Sequence, residues 1–119
     1  MAKAQASIEA AELLLAGGKT EFVASRCYYA MFYVSEALLF ERGCEFRKHS
    51  GVHAAFGEHF AKTKALDPKF HRWLLEAYES RLDDDYGVGI VLNKEATQEL
   101  IARAREFLDA ARQHLAIPQ

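Results

Sequence analysis

The sequence predicts an all-α protein, an up-and-down antiparallel bundle of about five helices, and three observations carry that expectation. Apolar residues recur at spacings of three and four along almost the whole chain, and no segment longer than six residues alternates cleanly with period two. Helix-starting and helix-stopping residues divide this pattern into five segments. Only two prolines and seven glycines occur in 119 residues, and most glycines stand at segment ends. Half of the residues are apolar, enough to fill one core, so a single domain spanning 1–119 is expected.

The first segment, about 2–16, places Ile8, Ala11, Leu14 and Leu15 on one side, and Gly17-Gly18 closes it. The second, about 20–42, has Thr20 as its expected N-cap, Glu21 in its first turn and Gly43 as its stop. Its centre, Cys27-Tyr28-Tyr29-Ala30-Met31-Phe32-Tyr33-Val34, is apolar on nearly every side. Such a helix is buried on most faces, so it belongs at the centre of the bundle or at a subunit interface. Ser50 is the expected cap of a third, shorter helix carrying Val52, Phe56 and Phe60. Asp67-Pro68 opens the fourth, an N-cap acid followed by proline at the first helical position. Its stripe runs Phe70, Trp73, Leu74, Ala77, Tyr78, Leu82. Gly87 to Leu92 breaks the pattern as a short loop or extended segment. Asn93 caps the last helix, with Ala96, Leu100, Ala104, Phe107 or Leu108, Ala111 and Leu115 on one face.

No apolar run approaches the roughly 20 residues that a membrane-spanning helix needs. Met1 to Gln5 lacks the hydrophobic stretch of a secretory signal. A soluble, cytoplasmic protein without membrane contact is expected. The net charge of −2 argues against a general nucleic-acid binder, which is usually basic. The charge is uneven, however. Seven Lys/Arg and three acids lie between Arg42 and Arg72, whereas five acids and one Arg lie between Glu76 and Tyr86. Each cluster reads as a solvated face, or as one side of a polar site where the two meet. Cys27 and Cys44 would stand about 25 Å apart along a straight helix, too far to bridge. Free thiols in a reducing compartment follow.

Two arginines stand where surface residues do not belong. Arg26 sits beside the apolar centre of the second helix, and Arg81 falls on the buried stripe of the fourth. A guanidinium entering a core needs a partner. Asp84 and Asp85, three and four residues on, have the spacing of helical neighbours of Arg81. One reading is a structural Arg–Asp pair that fixes the register of the bundle. The other is a polar notch in which Arg81 offers a forked donor to a phosphate. His49 and His53 have the i, i+4 spacing of a helical metal pair, but no third ligand is suggested nearby, and no metal or other cofactor is expected. His49, beside Arg47 and Lys48, is either a candidate for anion contact or acid–base work or an exposed loop histidine. Tyr28, Tyr29, Phe32 and Tyr33 read as core at helical spacing, or as a stacking platform for bases. There is no Gly-rich phosphate loop, no paired-carboxylate metal pattern and no cysteine flanked by an evident base.

The segment Ser25-Arg26-Cys27-Tyr28-Tyr29-Ala30-Met31-Phe32 resembles the S-R-x-Y-Y-A-M-F signature of small stand-alone HEPN domain proteins. Lys48-His49-Ser50-Gly51-Val52 is similar to a second stretch of that branch. Arg81 followed by Asp85-Tyr86-Gly87 is similar to its R-x-x-x-D-Y-G, and a last helix with Glu95-Ala96 and Ala104-Arg105-Glu106-Phe107 completes the resemblance. It implies an up-and-down helical fold that commonly dimerises. It also implies a role as nucleotide-binding or interaction module, paired with a minimal nucleotidyltransferase in a toxin–antitoxin system. A nucleotide transferred to a tyrosine near the motif makes Tyr86 the implied modification acceptor. Other members are metal-independent ribonucleases with an R-x(4–6)-H motif at a dimer interface. Counted from Arg81, the histidine positions are Tyr86, Gly87 and Val88, and none is His. A tyrosine with a pKa near about 10 is a poor base at neutral pH. The expected site is therefore a notch of Arg26, Arg81, Asp85 and His49 that binds a nucleotide or supports the fold, with RNA as the alternative ligand. A helical bundle whose polar residues are all structural is the other reading. Arg81, His49 and Tyr86 are the weaker candidates for catalysis.

Overall fold

A computed structural model describes residues 1–86 and 93–116, and gives the backbone alone at 83–86. The protein is an all-α bundle of five helices: α1 (Ala2–Ala16), α2 (Val23–Glu41), α3 (His49–Phe56), α4 (Lys69–Tyr86) and α5 (Lys94–Ala116). No strand occurs among the described residues. The loop or extended segment expected at 87–92 lies outside them.

Helix ends follow the chemistry of their residues, with two corrections. Gly18 and Gly43 adopt left-handed φ of 75° and 79°, which only a residue without Cβ enters cheaply. Each turns the chain so that the next amide reaches back to its helix, Lys19 N–H to Leu14 O at 2.8 Å and Cys44 N–H to Leu39 O at 2.9 Å. Asp67 Oδ1 accepts from Lys69 N–H at 2.9 Å, and Asn93 Oδ1 from Ala96 N–H at 2.7 Å, as their positions lead one to expect. Thr20, however, does not cap α2. Thr20–Phe22 forms a 3-10 turn that runs straight into the helix, and no side chain bonds its first amides. The helical turn upstream already supplies a carbonyl, Lys19 O, to Phe22 N–H at 3.1 Å. Nor does Ser50 cap α3. The extended residue is Lys48, so His49 is already inside the helix. A π-helical turn, Gly57–Ala61, continues α3 and buries Phe60.

α2 is the centre of the bundle and packs against each of the other four helices. The sequence prepares it for this place: Val23, Ala24, Cys27, Tyr28, Ala30, Met31, Val34, Leu38 and Leu39 are all buried, so most of its circumference leaves water. Tyr29, Tyr33, Glu36 and Phe40 share a partly exposed face. Below it, Phe107 of α5 stacks on Phe70 of α4 and meets Phe56 of α3, with ring centroids 5.0 and 5.3 Å apart. Buried hydroxyls are satisfied locally. Ser7 Oγ donates to Arg26 O at 2.7 Å, stitching α1 to α2, and Ser35 Oγ donates to Met31 O at 2.9 Å. On the surface, Arg105 pairs with Glu12 and Lys69 with Glu106. Such exposed pairs contribute about 0–1 kcal/mol each, so the apolar core decides stability.

One glycine answers to packing rather than to a turn. A Cβ at Gly57 would lie 2.6 Å from the His71 ring, whereas a Cβ at Gly43 would meet nothing within 4 Å. Gly43→Ala should therefore cost about 1 kcal/mol of backbone strain. Gly57→Ala should cost more, about 2–3 kcal/mol, because α3 and α4 must part or His71 must move. Urea denaturation of the two variants checks this ranking, and a larger loss at Gly43 contradicts it.

Candidate functional site

The site is built around a hydroxyl in the core. Tyr28 is fully buried on α2, and a buried hydroxyl is costly unless bonded. Its oxygen lies 2.8 Å from His49 Nδ1 and 2.8 Å from His53 Nε2. Both histidines stand on α3, and their i, i+4 spacing puts them on one face, one turn apart. The common partner of the pair is thus a hydroxyl. Among the described residues no three His, Cys, Asp or Glu side chains gather where a metal would sit. His71 of α4 donates from Nε2 to the His53 carbonyl at 3.0 Å, the approach that Gly57 leaves open.

Arg81 reaches the same tyrosine from α4. Its guanidinium carbon lies 5.7, 5.3 and 5.9 Å from the ring centroids of Tyr28, Tyr29 and Tyr78. Three ring faces are an attractive setting for a cation that is partly out of water. Arg26 lies 5.3 Å from the Tyr29 centroid, so two guanidinium groups share one ring. His49 stacks 4.3 Å from the Phe32 ring and 5.7 Å from that of Tyr28.

These surroundings set the charge states. Burial, and then the Arg81 charge, hold the His49 pKa below its usual value. Burial, and then His49 and His71, lower that of His53 to about 4. Both rings are therefore neutral at pH 7. Burial drives the Tyr28 hydroxyl far above its ordinary pKa, only partly offset by Arg81. Burial also pushes the Cys27 thiol up to about 12, which leaves it inert as a nucleophile.

Three of the residues singled out in the sequence come together: Arg81 and His49 on Tyr28, and Arg26 on the adjoining Tyr29. Asp85 and Tyr86 lie in the last turn of α4, four and five residues beyond Arg81. Their side chains, and with them the suggested Arg81–Asp84 and Arg81–Asp85 pairs, lie outside the described residues. Tyr28 is core, as its spacing suggested, but its part as hub was not foreseen. Nor were the parts of His53, His71 and Tyr78. The histidine pair one helical turn apart was the available signal, since two imidazoles on one face share whatever stands opposite them.

The HEPN domain family matches residues 1–114 of this sequence. The chain belongs to the HEPN domain family. It is 37% identical over 113 residues to a protein named "Putative toxin MJ0142" from Methanocaldococcus jannaschii, covering 95% of this chain and 77% of that protein. It is 36% identical over 108 residues to a UPF0332 protein of Thermotoga maritima, covering 91% and 82%. A UPF0332 protein of Gloeobacter violaceus, glr0978, is 34% identical over 117 residues, covering 98% and 93%. No helix among the described residues is long and apolar enough to cross a membrane.

In this HEPN domain the cluster offers a fixed cation, a neutral imidazole beside it and a second imidazole behind a shared hydroxyl. A groove of about 570 Å³ lies elsewhere, between the end of α2 and the loop to α3. It is lined by Glu36, Phe40, Cys44, Phe46, Arg47 and Val52.

The depressed His53 pKa ties stability to pH. A histidine buried neutral stabilises the fold fully above its unfolded value of 6.5, and that contribution is lost as pH falls toward the folded value of about 4. Its size is roughly 2–3 kcal/mol, and the shift at His49 acts in the same direction. Denaturation measured across this window should show wild type losing stability faster than His53→Gln. Parallel pH profiles for the two proteins contradict the assignment.

Proposed function

We propose that this HEPN domain is the toxin-type member of a two-protein system, and that Arg81, Arg26 and His49 take the phosphate of a nucleotide or RNA. The observation that carries the reading is the meeting of Arg81 and His49, 32 positions apart in the sequence, on the ring of Tyr28. A guanidinium presents paired donors that match phosphate oxygens, and a neutral imidazole beside it adds a donor or an acceptor. Relatives named as toxins support the biological side of the reading. The family resemblance supplies the rest: a homodimer that works with a minimal nucleotidyltransferase partner in the cytoplasm, with Tyr86, five residues beyond Arg81, as acceptor of the transferred nucleotide and Asp85 beside it.

Two measurements test this. Arg81→Lys keeps the charge and loses the fork, so affinity for a short single-stranded RNA should fall about tenfold, and further in Arg81→Ala. Equal affinity in all three proteins removes Arg81 from the site. Intact mass after incubation with the partner and ATP should rise by whole nucleotidyl units in wild type and stay unchanged in Tyr86→Phe. An unmodified wild type at stoichiometric partner ends the acceptor role.

A specific observation also favours the second reading, a metal-independent ribonuclease. His49 is held neutral next to Arg81, and so offers the base that Tyr86, Gly87 and Val88 do not. RNA cleavage in the presence of a chelator, reduced at least about 100-fold in His49→Gln while the fold is retained, is then expected. Absence of cleavage by wild type at high concentration contradicts it.

A further inference from the structure

Of the polar groups in the core, His53 has no role in either reading, yet it occupies the most constrained position. A tyrosine hydroxyl carries one proton. Lying 2.8 Å from two ring nitrogens, it donates to one and accepts from the other. Only two neutral arrangements satisfy both bonds and also use the buried hydroxyl proton. In the first, His53 Nε2–H donates to the Tyr28 oxygen and Tyr28 O–H donates to His49 Nδ1, so both imidazoles carry their proton on Nε2. In the second, His49 Nδ1–H donates to the Tyr28 oxygen and Tyr28 O–H donates to His53 Nε2, so both carry it on Nδ1. Mixed pairs leave either the hydroxyl proton or one ring nitrogen unsatisfied.

We propose that His53 and Tyr28 form a relay that couples the protonation of His49 to the tautomer of His53, with His49 Nε2 as the proton-accepting atom of the site and His53 as its positioning residue. From the second arrangement His49 takes a proton directly on Nε2, with Nδ1–H donating to Tyr28, Tyr28 O–H to His53 Nε2 and the His53 proton on Nδ1. From the first, where Nε2 is already protonated, the Tyr28 proton passes to His49 Nδ1, the His53 Nε2 proton passes to Tyr28, and the incoming proton enters at His53 Nδ1. The charged state is the same. The charge stays on His49, because His53 is buried and faces both His49 and His71. Passing it inward would move the His49 Nδ1 proton to Tyr28 and the Tyr28 proton to His53 Nε2, which leaves His49 neutral and His53 charged. The groups that face this relay are Arg26, Tyr29 and the more distant Glu36 on α2, and His71, Tyr78 and Arg81 on α4. Arg81 opposes a proton on His49. A phosphate that neutralises Arg81 removes that opposition, so anion binding and proton uptake at His49 become linked. This use of the relay rests on the phosphate reading above, whereas its hydrogen-bond geometry does not.

The experiment is a pH titration of the full chain with ¹⁵N-labelled imidazoles, read by two-bond nitrogen–proton NMR, with and without inorganic phosphate. In neutral protein His49 and His53 should carry their proton on the same ring atom. As His49 becomes charged, His53 Nε2 should take on the shift of a bare nitrogen. Wild type alone carries this test, so it does not depend on any variant folding. In Tyr28→Phe the His53 tautomer should cease to follow His49. Opposite tautomers in the neutral protein, or a His53 tautomer indifferent to the His49 charge, overturn the relay. Phosphate should raise the His49 pKa in wild type and not in Arg81→Ala. Coupled tautomers without that phosphate effect contradict the anion reading alone, and a phosphate effect with independent tautomers contradicts the relay alone.

Discussion

Tyr28 places an O–H group at the centre of an apolar bundle, and much of the structure around it answers that constraint. Removing a hydroxyl from water without a partner costs at least about 1–3 kcal/mol, so α3 must present acceptors and donors to α2. It does so with His49 and His53, one turn apart. This is why α3 begins at His49 rather than two residues later: a start at Ser50 with a capping side chain would leave His49 outside the helix and away from Tyr28. His71 holds the far end of the arrangement through the His53 carbonyl, and Gly57 provides the space it needs. A short helix that buries only a few apolar side chains is thus fixed by polar contacts that allow one register.

The same tyrosine organises the electrostatics. Arg81 rests among three tyrosine rings, and Arg26 shares one of them. Burial, and then the Arg81 charge, keep His49 neutral. A fixed positive charge next to an uncharged imidazole suits a site that receives a phosphate and then handles a proton. Tyr86, Gly87 and Val88 hold no histidine, so in the proposed site the imidazole is the one that α3 supplies.

The architecture was legible because it rests on patterns local to each segment. The unbroken apolar centre of α2 foretold its central place, and Asp67, Asn93, Gly18 and Gly43 foretold the ends they form. The caps at Thr20 and Ser50 failed for one reason: a preceding helical turn or an extended lysine already settled the backbone, a matter of φ and ψ that side-chain preference does not see. Arg26 and Arg81 were recognisable as misplaced polar residues, and His49 as a histidine beside two basic neighbours. Their convergence was not, because it depends on how α2, α3 and α4 pack, and on a tyrosine whose ring reads as core while its hydroxyl does the connecting. His53 drew notice only through its metal-pair spacing with His49, set aside for want of a third ligand, because i, i+4 spacing tells that two side chains share a face, not what faces them.

The central claim is that Arg81 and His49 act as one site across Tyr28. A double-mutant cycle on single-stranded RNA binding, with Arg81→Lys, His49→Gln and the double variant, tests it most directly. Side chains that serve one phosphate should show a coupling energy of about 1 kcal/mol or more. Losses that add within about 0.3 kcal/mol would mean that the two residues work apart, and that their meeting on Tyr28 is architecture alone.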